Sequence, residues 1–401
     1  MKKTIIASAL LSALSFNVFA VTEANINWTQ LVGGSSNEDY SDVISISDGS
    51  AIMVGSTSSQ DGDITTQYNG GASDALITKL DENGNVLWNI LRGGSGADKF
   101  HAIAQMSDGS FVAVGESQVP MDGLSPERKE GLMVSFLDNG EVLWEKRLNS
   151  DDRIFASLED ISNIPETGEY FVTGTYYNAG KNTYYGQTMK FAGEELKSTV
   201  QEELTSNSSS PLIAVDESNT YSYFQASSGP YGDTPIGNTI VKAVDSEGEV
   251  VWEYNLDGKA VALDTTLDNG LLVTTQSQVL KLSSTGQQEW SHYYNNGKIY
   301  ASTSFQDAKE IYIGDEKFHL VAGKFLGYGG PVSGLIRLLD KNGQYISAEE
   351  FQSNSSSSFN AISVDVNNDV LFTGYSDSTG GDITDPHNGG RDGLTVNYTF
   401  E

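Results

Sequence analysis

The chain has no cysteine. That absence excludes disulfide staples, thiolate metal ligands, a cysteine nucleophile and a lipid-bearing cysteine, so stability must come from buried area. Proline is also scarce, 8 residues against 42 glycines, a balance that suits many tight turns between short strands. The 4 histidines, His101, His292, His319 and His387, form no pair at zinc spacing, and no Gly-x-Ser-x-Gly elbow occurs. Basic residues number 23 against 54 acidic ones, a net charge of -31. Nucleic acid and anionic membrane surfaces are therefore disfavoured partners, whereas cations and basic surfaces are favoured.

Long apolar runs are missing too, with one exception near the start. Lys2-Lys3 is followed by an apolar stretch from Thr4 to Phe16 and then by Val18-Phe19-Ala20. This reads as a secretory leader, residues 1–20, cleaved after Ala20. The stretch falls short of the roughly 20 apolar residues that a membrane span requires. The expectation is a monomeric protein of residues 21–401, exported to the periplasm or beyond the cell, without membrane insertion.

What is present is a repeat. Gly-x-x-x-Trp occurs at Gly84 with Trp88, Gly140 with Trp144, Gly248 with Trp252 and Gly286 with Trp290. At Gly193 and Gly343 the turn recurs, with Lys197 and Ser347 in the Trp slot. These glycines fall about 55 residues apart, with one shorter interval before Gly286, which is the period of a four-stranded propeller blade. Alternating apolar runs between the turns predict four strands per unit. The segment around Trp28 matches a fourth strand with no earlier strands before it, and the last unit lacks its fourth strand. The sequence thus predicts an all-β fold, a single seven-bladed β-propeller of four-stranded antiparallel blades. The N-terminal strand completes the C-terminal blade, and six or eight blades are the alternatives. The compressed unit between 257 and 294 is where the count is open. In the next unit, strands near 299–305 and 318–324 are separated by a longer excursion. The five tryptophans read as packing between neighbouring blades.

The units carry Gly-Gly-Ser near an acidic residue, then Ser-Asp-Gly-Ser, Val-Gly-x-(Ser/Thr), Asp-Gly-Asp-Ile, Gly-Gly with an Asp, and Lys-Leu-Asp-x-Asn-Gly. This pattern resembles the repeats of bacterial exported SBBP-like propellers. Its Asp-x-x-Gly-x-x-x-Trp cadence, at Asp81 to Trp88 and Asp245 to Trp252, is similar to that of pyrroloquinoline-quinone-type propeller repeats. The resemblance covers residues 25–401, closest in the first two units and the last, and it implies a fold. Quinone-dependent dehydrogenases of that type use a vicinal cysteine pair, which this chain lacks.

Two long loops match closely, Asp61-Gly62-Asp63-Ile64 with Asp74, and Gly381-Asp382-Ile383 with Asp385 and Asp392. Ring closure makes them neighbours, on the face where the connections after the second and fourth strands emerge. Carboxylates on glycine-rich loops suit a hard cation, so the sequence predicts a Ca2+ site from Asp61, Asp63, Asp74, Asp382, Asp385 and Asp392. Asp39, Asp98 and His387 are the predicted partner-contacting residues beside it. The competing reading is that these aspartates only cap turns. The functional reading is a non-enzymatic propeller that binds a protein or glycan partner through its long-loop face, assisted by a cation. The alternative is a carbohydrate-active hydrolase or lyase using carboxylates near the central channel.

Overall fold

The structure is a computed structural model. It describes residues 2–3, 24–66, 70–119, 128–148, 155–178, 181, 183–204, 212–216, 221–227, 239–294, 302–327, 330–365 and 367–400. The apolar run of the predicted leader and its cleavage point lie outside the described residues.

Antiparallel strands build six four-stranded sheets and one five-stranded sheet, and the chain is a β-propeller. The four-stranded sheets span residues 38–92, 98–148, 155–204, 213–256, 260–293 and 302–351 in chain order. The last sheet takes three strands from residues 357–400 and its fourth from Ala24–Val32, with Lys2–Lys3 paired outside that. Ala24 pairs with Phe400 and Val32 with Gly393, so the two ends of the chain share one sheet. Each sheet packs on the next, and the last packs on the first.

Burial follows radial position. Asp74–Leu80, third in its sheet, is buried at every position, as expected of a short apolar run covered on both sides. The fourth strands Val86–Arg92 and Val142–Leu148 have partly open rims. Apolar side chains fill the gaps between sheets. Phe100, Phe111 and Phe136 meet Ile52 and Ile77 between the first and second. Val32 and Leu371 meet Tyr40 and Met53 between the last and first.

The repeated tryptophan locks one sheet to the next. Trp28 Nε1 donates to the Glu82 carbonyl, Trp88 to Asp138 and Trp252 to Ser284, each across a sheet boundary. The ring lies on the turn glycine of the neighbouring sheet. A Cβ on Gly84, whose φ is +86°, would sit 2.8 Å from Trp28, so this turn excludes a side chain by conformation and by contact. Gly140, Gly286 and Gly343 carry Trp88, Trp252 and Trp290 in the same way. Gly248, preceded by the unit with Lys197 in the Trp slot, has no such neighbour.

Two expectations change. The inner strands, expected from the apolar alternation over 40–47 and 100–107, run Glu38–Ser45 and Asp98–Gln105 and end before the apolar Ile46 and Met106, because those residues already close the turn. Gly49 N–H donates to Ile46 carbonyl, and Asp48 accepts from Ser50. The predicted excursion after residue 305 is instead a hairpin. Ser302–Ile313 pairs with Glu316–Leu326 across a two-residue turn at Gly314-Asp315. The compressed unit forms a full sheet, its second and third strands joined through Gln276-Ser277.

Candidate functional site

The first strands of all seven sheets surround a central channel holding a cavity of about 750 Å³. Three of these strands carry a β-bulge followed by an aspartate: after Tyr40 comes Asp42, after Leu158 Asp160, and after Phe305 Asp307. A bulge places an extra residue and re-aims the side chain that follows. Each aspartate then uses both oxygens. Oδ1 accepts from the next N–H of its own strand, Val43, Ile161 or Ala308, at 2.8 Å. Oδ2 accepts from the neighbouring sheet: Ile103 at 3.0 Å, Ile213 at 2.9 Å and Ile362 at 2.9 Å. The first sheet is thus stapled to the second, the third to the fourth, and the sixth to the last. Where sheets two and seven receive a staple, the position after their own bulge is Ala102 or Ala361.

Two residues along the same strands, Asp264 of the fifth sheet meets Lys309 of the sixth at 2.6 Å. These side chains are partly open to the channel but lie deep within the ring. Burial pushes Asp42 up to about 6, Asp160 up to about 7 and Asp264 up to about 6, and raises Asp307. Burial alone would lower Lys309, but Asp264, Asp307 and Asp42 outweigh it and hold the ammonium charged.

The second feature is the seam between the last and first sheets. Here Glu38 N–H donates to the Arg391 carbonyl, joining the start of an inner strand to the start of a third strand. A cleft of about 550 Å³ opens over the seam, lined by Asp39, Asp377 and Arg391 among others. Arg391 lies 3.6 Å over the Tyr375 ring, pairs with Asp377 at 3.0 Å and faces Asp39 at 3.5 Å. Asp39 Oδ1 also accepts from Asn360, and burial raises this carboxyl above its usual range.

Most of the predicted loop aspartates cap backbone. Asp61 is exposed and accepts from Ser35 N–H at 2.6 Å. Asp382 accepts from Gln352 N–H at 2.9 Å, facing the sixth sheet, and Asp385 accepts from the Thr29 hydroxyl. Asp74 is buried at the head of its strand. Asp98, also buried, accepts from Gly94 at 2.8 Å and Gln118 at 3.1 Å, so it shapes its loop instead of facing a partner. Asp63 and Asp392 do come together. Asp63 Oδ2 accepts from Gly33 N–H at 3.1 Å and from the Asn388 side chain at 3.2 Å, while Asn388 N–H donates to Asp392 at 2.9 Å. His387 is half-buried beside Asp392.

Sequence reasoning missed the channel set, Asp42, Asp160, Asp264, Asp307 and Lys309. A faint signal existed in Tyr40-Ser41-Asp42, Leu158-Glu159-Asp160 and Phe305-Gln306-Asp307, a large apolar residue two places before an aspartate. Among the other histidines, burial lowers His292 and His319 to about 4, which keeps them neutral, and His101 faces Glu116 at 4.0 Å. No helix among the described residues is long and apolar enough to cross a membrane.

No family model and no curated protein matches the chain. Solved structures do. BBS1N, in a crystal structure in complex with ARL6DN, superposes with a TM-score of 0.51 at 13% identity, covering 93% of this chain and 96% of that one. The extracellular domain of BT4673 from B. thetaiotaomicron gives 0.45 at 10% identity, over 93% of this chain and 43% of that one. A puromycin hydrolase S511A mutant complexed with PGG gives 0.48 at 10% identity, over 85% and 51%. At such identities the likeness to BBS1N is one of fold alone: this chain is similar to propellers across nearly its whole length.

Proposed function

We propose that this is an exported, non-enzymatic propeller whose seven sheets form one seven-bladed ring, and that its long-loop face binds a partner protein through a basic segment. The observation that carries this reading is the seam cleft. Asp39 and Asp377 flank a single guanidinium already fixed on Tyr375, so the cleft sets two carboxylates against one cation at the surface of a strongly acidic protein. Such a surface steers and holds cationic groups. The seven-blade reading is supported by the chain ends sharing one sheet and by Trp28 lying on Gly84. The non-enzymatic reading is supported by the channel, where Asp42, Asp160 and Asp307 spend both oxygens on backbone N–H groups.

The test is titration calorimetry of the purified protein with an arginine-rich peptide and, in parallel, a glycan array. Binding of the peptide should weaken with salt and fall at least tenfold in D39N/D377N. Glycan binding or turnover unaffected by that double substitution would refute the reading and favour the carbohydrate-active alternative.

A further inference from the structure

Beneath the partner-binding cleft, which Glu38 also borders, the seam holds a second pair of carboxylates. Glu38 opens the inner strand of the first sheet and Asp392 opens the third strand of the last, and both are fully buried. They converge on Gly33. A Cβ there would lie 2.2 Å from Asp392 Oδ1 and 2.7 Å from Glu38 Oε2, so only a glycine leaves room between them. Asp63 reaches the same residue through its bond to Gly33 N–H.

The two acids are satisfied unequally. Glu38 accepts from Gly34 N–H at 2.9 Å and from the Thr57 hydroxyl at 2.6 Å. Asp392 accepts through Oδ2 from Asn388, but its Oδ1 is buried with no hydrogen-bond partner. No Lys or Arg among the described residues forms an ion pair with either acid; the basic neighbour is His387. Two buried carboxylates that face each other without a counter-charge are strongly disfavoured, so such a site calls for a cation or a proton.

We infer that Glu38 and Asp392 bridge a hard divalent cation of the Ca2+ class, which fastens the last sheet to the first. The chemistry fits: Ca2+ takes carboxylate and carbonyl oxygens at about 2.3–2.6 Å and fills its remaining positions with water. Among the described residues no three acidic or imidazole groups form a ready-made cage. The site is therefore a two-carboxylate bridge between chain segments more than 350 residues apart in sequence. Of the six aspartates predicted for Ca2+ from the sequence, Asp392 belongs to this site and Asp63 borders it. The second gap, between the first and second sheets, provides an internal contrast. There Asp98 meets Gly93 as closely, yet both its oxygens accept N–H groups.

Thermal melts of the purified protein in chelator and in graded CaCl2, with MgCl2 as a comparison, test this at fixed pH. The expected result is a concentration-dependent rise of several degrees with Ca2+, larger than with Mg2+. D392N should melt above wild type in chelator, because it removes one of two facing charges, and should show no Ca2+ response. D61N, altered at a neighbouring loop cap, should keep the full response. Wild type without a Ca2+ response, or D392N with one, overturns the inference. So does stabilisation of chelated wild type by mild acid that D392N abolishes while Ca2+ has no effect, since the unpartnered oxygen then holds a proton. The arginine-peptide titration runs separately, so failure of this bridge and failure of the binding face are distinguishable.

Discussion

The channel and the seam both gather carboxylates beneath inner strands, yet they differ in how the oxygens are used. In the channel, Asp42, Asp160 and Asp307 each accept one N–H from their own strand and one from the next sheet. At the seam, Asp392 leaves an oxygen unanswered. Counting acids would rank the channel first as a ligand site. Counting lone pairs ranks the seam first, because a carboxylate already saturated by backbone donors is a fastener.

The largest effect expected from breaking this contrast is at Lys309. K309M removes the cation that faces Asp264 and lies near Asp42 and Asp307. Near neutral pH the loss should be about 2–3 kcal/mol, below the range for a fully buried pair because channel water reaches both groups. The loss should shrink as pH falls, and the sign follows from the aspartates. Their folded pKa values, about 6 for Asp42 and Asp264 and about 7 for Asp160, stand above the ordinary 3.8. A carboxyl raised by folding contributes stability that is complete below its unfolded pKa and is lost as pH rises through the folded one. Stability from these groups should therefore decline between about pH 4 and pH 7. Urea denaturation of wild type and K309M across that window checks both statements, and a K309M loss independent of pH would contradict them.

Next in size is D307A, which strands two N–H donors, Ala308 and Ile362, at the joint between the sixth and last sheets. The expected cost is about 2 kcal/mol by denaturant unfolding. A smaller effect is expected at the rim. G84A strains a positive-φ turn and pushes Trp28, at about 1–2 kcal/mol. G193A, where a Cβ meets nothing, should cost less, and the difference isolates the tryptophan contact. Equal costs would show that the Trp lock contributes little.

Much of the fold was legible because a propeller repeats its turns. The Asn83-Gly84 and Asn139-Gly140 turns and the tryptophan four places after each glycine announce the blade period, and the unmatched strand at Trp28 announces how the chain ends meet. The hairpin at Gly314-Asp315 was hidden because Lys309, Glu310, Glu316 and Lys317 make its strands look like a polar loop. In the structure Lys317 pairs with Glu310 at 3.0 Å, and the two charges fold against each other.

The site was less legible for a different reason. Bulges are properties of a paired register, not of one strand, so beyond the large apolar residue two places earlier nothing local marks Asp42 or Asp307 as facing the channel. Conversely, the matched Asp-Gly loops stand out in the sequence, but Asp61 and Asp382 each cap a backbone N–H, the first at the surface and the second buried. Glu38 and Asp392 stand far apart in the chain and meet only because the ring closes.

The most direct measurement compares the two regions in one experiment, melting wild type, D392N and D307N in chelator and in millimolar Ca2+. Removal of a channel carboxylate should lower the melting temperature and leave the Ca2+-dependent rise intact, whereas D392N should abolish the rise. A rise that survives D392N, or that disappears in D307N, would contradict the assignment of the cation to the seam and of the channel acids to holding the sheets together.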